Sequence, residues 1–408
     1  MPKPAQSLPL KDEPGLDLLE GLVVLDLTTS VAGPYAGQLL GDLGATVIKI
    51  ERPGAGDDCR AWGPPFLDGE SLWFVSINRN KQSVTLDFAA PAGHQVLLRM
   101  VAKADVVLVN AVARVQRKLG IDHATLATVR SDLIHVSITG FGLDGERADL
   151  PCYDLIAEGY SGVMDMTGAP DGPPQKVGTP AADLLAGEDA ALAAVAAIVR
   201  KQRTGRGAVI DIALVESMTR FMAPRLVPYL GSGETMRRSG GSDSVIAIYQ
   251  VFDTADNPLT LGLGNDAIWR RFWSALGAPE RAENSAHASN AGRRADRAQI
   301  VEDIAARLKA RGRNEWLDIF RAARVPAGPI YRLDEIGEDA ALRRRGFLYG
   351  FDRGGERVPQ VGLGIAVDGR SEGCRPPPKL GADNDAIFQN WLGLSAAERA
   401  ALAADGVI

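Results

Sequence analysis

The sequence predicts an α/β protein with a second, smaller α+β domain, and three observations predict it. Apolar runs of strand length alternate with helix-length segments from Leu22 to Thr139. An alanine-rich stretch up to Gln202 reads as one long helix. A segment rich in Gly, Ser and charge, 232–244, then breaks the pattern, and the texture changes after it.

Each element has its own justification. Leu22 to Thr28 is a continuous apolar run fit for a buried parallel strand, Pro34 to Leu43 reads as a helix, and Thr46 to Ile50 as the next strand. Ser83 to Phe88, a helix from Pro91 to Ala102, and strands at Asp105 to Val109 and Leu133 to Thr139 continue the alternation, which makes this half Rossmann-like. Its first turn, Ser30 to Gly37, lacks the G-x-G-x-x-G spacing, so a dinucleotide reading built on Glu51 is weak. Ala208 to Leu214 reads as a further buried strand and Ser217 to Leu230 as a helix. The 232–244 segment reads as a mobile loop or linker. Strands at Val245 to Phe252 and Leu259 to Leu263 and helices at Ala267 to Leu276, Arg297 to Arg311 and Asn314 to Ala322 form the smaller domain. Ala327 to Ile330 reads as a return segment and Asn384 to Trp391 as a terminal helix. The boundaries are 18–225 for the first part of the large domain, 226–326 for the small one and 327–408 for the return.

Composition excludes several classes. The 408 residues are 46% hydrophobic and 24% charged, enough for two or three real cores, and no apolar run approaches a membrane span. Met1 to Asp17 is polar and proline-bearing, without a signal core, so a frayed arm and cytoplasmic residence are expected. Cys59, Cys152 and Cys374 are too scattered for a disulfide framework, and His94, His123, His135 and His287 have no partners at ligand spacing, so no metal site is expected. A formal charge of −6 argues against nucleic acid as the main partner, leaving room for a local basic groove. There is neither a G-x-S-x-G elbow nor a Walker loop.

The sharpest chemical candidate is Asp183. Thr179 is suited to cap the alanine-rich helix and Pro180 to its first position, which puts Asp183 in the first turn. Free N–H groups and the helix dipole there favour an ionised carboxylate, either a simple cap or a nucleophile. Arg52, Lys81, Asn110 and Lys118 fall at strand ends or in the loops beyond, where open α/β sheets bind ligands.

Ala32-Gly-Pro-Tyr-Ala, Leu40-Gly-Asp-Leu-Gly-Ala-Thr-Val-Ile-Lys-Ile-Glu-Arg-Pro53, Asn78-Arg-Asn-Lys-Gln-Ser-Val-Thr-Leu-Asp87, Ser137-Ile-Thr-Gly-Phe-Gly142, Tyr153-Asp-Leu-Ile, Val325-Pro-Ala-Gly-Pro329 and Arg375-Pro-Pro-Pro-Lys-Leu-Gly381 closely resemble the class III coenzyme A transferases. The resemblance covers nearly the whole chain and implies a good deal. Asp183 falls on the family's nucleophile, which attacks an acyl-CoA thioester to give an aspartyl anhydride and then an aspartyl-CoA thioester. Coenzyme A and acyl-CoA are then substrates, with no permanently bound cofactor. Arg52 and Lys81 fall near the nucleotide phosphates, Asn110 near the pantetheine, and Lys118 follows; Ala111-Val-Ala-Arg114 departs from the aromatic-x-Pro-Gly of many relatives. Gly240-Gly241 resembles the loop that closes over the nucleophile.

Tyr153 stands where the family's racemases carry a histidine base, which argues against racemisation; it could also be a core aromatic. Val31 replaces the glutamine that meets oxalate in formyl-CoA transferases, and Gly56 to Pro65 resembles members using succinyl-CoA and dicarboxylic acids. Arg60, Arg237 and Arg238 could hold a second carboxylate. The implied assembly is an interlocked, ring-shaped homodimer whose large domain includes the C-terminal tail. A racemase or isomerase of the same family, and a non-catalytic CoA-binding subunit of a hetero-oligomer, are the alternatives.

Overall fold

The computed structural model describes residues 4–11, 15–243, 245–373 and 375–408; Ser244 and Cys374 lie outside them. The chain forms two compact units. The larger comprises Met1–Val163, Lys176–Gly233 and Asp339–Ile408, and the smaller comprises Met164–Gln175 and Glu234–Glu338.

The strands are β1 (Val23–Asp26), β2 (Thr46–Glu51), β3 (Phe66–Leu67), β4 (Glu70–Ser71), β5 (Lys81–Thr85), β6 (Val106–Val109), β7 (Ile134–Thr139), β8 (Ala208–Ala213), β9 (Tyr249–Phe252), β10 (Leu259–Gly262), β11 (Ala327–Pro329), β12 (Leu348–Arg353) and β13 (Glu356–Val361). In the larger unit, six of them form a sheet in the order β5-β2-β1-β6-β7-β8, paired in parallel throughout. The chain runs outward from β1 in one direction through β2 and β5 and in the other through β6, β7 and β8. A topological switch point therefore lies between β1 and β6, where open sheets of this kind leave a crevice at their carboxyl edge.

Burial on both faces explains the apolar runs. One face packs Leu25, Ile48, Val84 and Val107 against the Pro91–Val101 helix and against Ile387, Phe388 and Leu392 of the C-terminal segment. The Ala32–Asp42 helix and the long Ala181–Thr204 helix pack closely on each other. Alanine richness in the long helix has a steric purpose. Ala182, Ala186, Ala190, Ala194 and Ala197 form a buried stripe, and at Gly187 a β-carbon would stand 2.7 Å from the carbonyl oxygen of Ala32.

Several expectations shift. β8 is an edge strand with Val209 exposed, so its apolar run is covered on only one face. The helix expected over 217–230 is two helices, Leu214–Phe221 and Ala223–Ser232. The N-terminal arm is docked where described: Leu8 is buried, Leu10 bridges Gly350, and Lys11 pairs with Glu372 at 2.7 Å. Asp385–Trp391 is a π-helical turn, and a further helix, Ala396–Ala404, follows with a Ser395/Glu398 capping box.

In the smaller unit β9, β10 and β11 form an antiparallel sheet in the order β11-β10-β9, and Trp269, Phe272, Trp273, Trp316 and Phe320 fill the core beneath it. Ala327–Pro329 pairs with β10, so the return to the larger unit begins at Asp339, later than the 326/327 boundary. The 232–244 segment is fastened rather than loose where described: Gly240 N–H donates to the Gly168 carbonyl and Arg238 donates to the carbonyls of Gly172 and Asp165.

Candidate active site

The carboxyl edge of the larger sheet gathers two kinds of buried charge. The first is a set of ion pairs beneath the switch point. Lys81 Nζ is fully enclosed, 2.8 Å from Asp26 Oδ2, and also donates to the Pro34 carbonyl and to Asn78. Lys49 Nζ pairs with Asp57 at 2.8 Å and donates to the Thr28 carbonyl at 2.9 Å. Burial raises the Asp26 carboxyl, but Lys81 and Lys49 overcome it and hold the group down to about 2. Burial lowers Lys81 to about 8, against the pull of Asp26, so both partners are ionised at neutral pH. Gly37 makes this packing possible, since a β-carbon there would lie 2.9 Å from Asp26 Oδ2.

This corrects two sequence expectations. Lys81 has no exposed surface and is a structural cation inside the fold, not a phosphate contact. Arg60 is spent on a bidentate pair with Glu51, at 2.6 and 2.7 Å, and lies 3.6 Å from the Phe74 ring centroid, so it offers no free fork to a substrate carboxylate.

At the rim the candidates are more open. Arg52 is exposed beside Asp58, and Lys118 is exposed on the Ala113–Leu119 helix. Asn110, at the end of β6, exchanges hydrogen bonds with the backbone of Thr29 after β1, accepting at 3.2 Å and donating at 2.8 Å across the switch point. Val31 is buried at the start of the Ala32–Asp42 helix.

The second kind of buried charge has no cation among the described residues. Gly187 packs against Ala32, so Asp183, one turn earlier, lies near the start of the Ala32–Asp42 helix and hence at the same sheet edge. Thr179 does not cap this helix; Pro180 precedes it without a side-chain cap. The cap comes instead from the neighbouring Asp154–Ser161 helix: Asp154 Oδ1 accepts the N–H of Ala182 at 2.8 Å and of Asp183 itself at 3.3 Å. The Asp183 carboxyl is partly buried, and burial first, the Asp154 charge second, push it up to about 7. Against the expectation that a helix start favours the ionised carboxylate, burial and the Asp154 charge favour the neutral acid. A carboxylate in this setting is more basic than a solvated one, and losing its charge relieves the repulsion from Asp154.

Tyr153 begins the Asp154–Ser161 helix and is 71% exposed, which excludes a core role. In the smaller unit, Gly240 has a φ of +61° and a β-carbon at Gly241 would lie 2.9 Å from Val251. There, Arg238 pairs with Asp165 at 3.1 Å, whereas Arg237 is exposed without an ion pair among the described residues. Sequence reasoning missed Asp154 as the carboxylate beside Asp183, and Glu158 as the carboxylate beside Asp154; their i,i+4 spacing at a helix start was the available signal. Among the described residues no cluster of His, Cys, Asp and Glu suits a metal ion.

A parallel sheet with a switch point and, among the described residues, a capped carboxyl without a counter-ion at its carboxyl edge fit an α/β enzyme. Residues 19–384 match CoA-transferase family III, and the chain belongs to that family. It is 38% identical over 373 residues to succinate–glutarate CoA-transferase of Agrobacterium fabrum, covering 89% of this chain and 93% of that one. It is 34% identical to acetyl-CoA:oxalate CoA-transferase of Acetobacter aceti, over 91% of this chain and 95% of that one. A CAIB/BAIF family protein from Brucella suis superposes with a TM-score of 0.81 at 36% identity, covering 91% of this chain and 98% of that one.

Proposed function

We propose that the protein moves coenzyme A from succinyl-CoA to a dicarboxylic acid, with Asp183 as the acyl-accepting nucleophile. The single observation that carries this reading is the Asp183 carboxyl, partly buried on a helix start that Asp154 caps and, among the described residues, without a cation beside it. Asp183 attacks the thioester carbonyl and the C–S bond breaks. Coenzyme A thiolate then attacks the aspartyl carbonyl of the anhydride, releasing the donor acid as its carboxylate. The acceptor carboxylate attacks the resulting aspartyl-CoA thioester, and the thiolate returns to the new acyl carbonyl, regenerating Asp183. Each intermediate keeps an activated acyl group, so thioester energy is conserved.

The donor and acceptor classes rest on the similarity to the succinate–glutarate enzyme and on the Gly56 to Pro65 segment. Arg52 and Lys118, exposed, and Asn110, half-buried across the switch point, are the proposed contacts to coenzyme A. Arg237 is the proposed partner of the distal acceptor carboxylate, and Gly240-Gly241 the shield of the anhydride from water. Tyr153, lacking an imidazole, fits transfer better than racemisation. A homodimer accounts for the apolar side chains that the larger unit leaves exposed, among them Ile156, Leu192, Phe221 and Leu230. No described helix is long and apolar enough to cross a membrane, and the proposed residence is cytoplasmic.

The test is to incubate the protein with succinyl-CoA and a panel of acids including glutarate and oxalate, trap with hydroxylamine or borohydride, and map the modified residue. The expected result is turnover with glutarate-like acids and an adduct at Asp183 that Asp183→Asn lacks. Turnover with no adduct at Asp183 contradicts the reading.

A further inference from the structure

One carboxyl group near the site is unaccounted for by this mechanism. Glu158 lies four residues after Asp154 on the same helix and is completely buried. Its Oε2 accepts the N–H of Val177 at 2.9 Å, in the segment that leads into the Asp183 helix. Its Oε1 is buried without a hydrogen-bond partner. Its side chain meets that of Asp154, whose own Oδ1 is occupied by the amides of Ala182 and Asp183. Two carboxylates that meet, one of them wholly buried with an orphaned oxygen, are reconciled by a single proton.

We propose that Glu158 carries that proton and donates it in a hydrogen bond from Oε1 to Asp154, so that it positions, through Asp154, both the start of the nucleophile helix and the negative charge that Asp183 faces. The inference rests on the assignment of Asp183 as nucleophile. Glu158 touches no reacting atom and acts as a positioning residue.

The surroundings agree. Burial first, then the Asp154 carboxylate, push Glu158 above the usual carboxylate range, while the Val177 amide and Lys176 act in the opposite sense. The Asp154–Ser161 helix packs on the nucleophile helix and on Leu214–Phe221. On the former the charged groups are Asp183, Glu188 and Asp189 in the first turns; on the latter they are Glu216 and Arg220, and Arg220 is turned to Asp189. While Glu158 keeps its proton, the hydrogen bond draws Asp154 charge away from Asp183. As pH rises and the proton leaves, two anions meet, the cap is repelled and activity falls.

Glutamine reproduces the protonated acid, with Oε1 accepting from Val177 and the amide N–H donating to Asp154. The experiment compares wild type, Glu158→Gln and Glu158→Ala in two ways. Infrared difference spectra at pH 7 between wild type and Glu158→Gln read the proton without reference to activity, and are expected to show the loss of one protonated carboxylic acid band. Profiles of kcat/KM against pH with succinyl-CoA are expected to keep Glu158→Gln within about threefold of wild type at pH 7 and to remove its alkaline decline. In Glu158→Ala, a loss of more than tenfold is expected, with the acid limb moved to higher pH because Asp154 repels Asp183 in full. A purely space-filling role would leave the alkaline decline in place in Glu158→Gln. That outcome, or the absence of a lost acid band, overturns the proposal. Failure of the Asp183 assignment shows itself separately, as turnover that survives Asp183→Asn while the infrared band is still present.

Discussion

The larger unit places buried carboxylates in two settings a short distance along its sheet edge, and it treats them oppositely. Asp26 and Asp57 each receive a buried lysine, and Lys81 and Lys49 hold Asp26 down to about 2. Asp183 meets the Asp154 charge with no cation beside it among the described residues, Glu158 meets Asp154 with only the lesser pull of Lys176 and the Val177 amide against it, and both are pushed up, Asp183 to about 7. In both settings burial opposes charge; the presence of a cation decides which effect wins. Paired charges tie the strand ends together, and a carboxylate without a cation is left more basic.

Removing the cation from the first setting is the largest way to break this contrast. Lys81→Met strands a buried Asp26 charge and should lower the stability measured by urea unfolding by about 3–5 kcal/mol. Were Lys81 a phosphate contact instead, the same variant would keep its stability and raise the KM for acyl-CoA. Next comes the steric seat of the second setting. Gly187→Val drives a side chain against the Ala32 carbonyl, which cannot move without its helix, and is expected to cost about 1–3 kcal/mol and to lower kcat by displacing Asp183.

A subtler effect runs through linkage. The Asp183 carboxyl takes up its proton more readily in the folded chain than in the unfolded one, so its contribution to stability is full below about pH 4 and is lost as pH rises through about 7. Asp183→Asn should therefore stabilise the protein at pH 8 by about 1–3 kcal/mol, less than the whole shift implies because the carboxyl is partly open to solvent. In thermal scans the gain should vanish near pH 4. Smallest in stability is Arg237→Ala, expected within about 0.5 kcal/mol of wild type, with a several-fold rise in the KM of a dicarboxylic acceptor. Arg60→Ala, which strips Glu51 of its bidentate partner, should show the reverse pattern of lost stability first.

The contrast between these settings was only half legible in the sequence. Continuous apolar runs such as Val106–Val109 disclosed the parallel sheet because strands covered on both faces need no alternation. The position of Asp183 at a helix start was also readable, because alanine richness and Thr204-Gly205 delimit the helix. What could not be read was which charges meet. Lys81 and Asp26 are 55 residues apart, and only strand order brings Lys81 inward, so a lysine at a strand start passed for a surface cation. The true cap of the Asp183 helix comes from Asp154, 28 residues before Ala182, whereas local rules pointed to Thr179. Ala327–Pro329 looked like a return segment because three short residues give no periodicity, and their pairing with β10 is a tertiary fact.

The measurement that bears most directly on the central claim is the pH dependence of single-turnover adduct formation on Asp183 with succinyl-CoA, followed by rapid acid quench and peptide mapping. The account predicts an acid limb with a midpoint near pH 7, set by burial and Asp154. A limb near pH 4, the ordinary carboxylate range, would show that Asp183 reacts from a solvated setting and would contradict it.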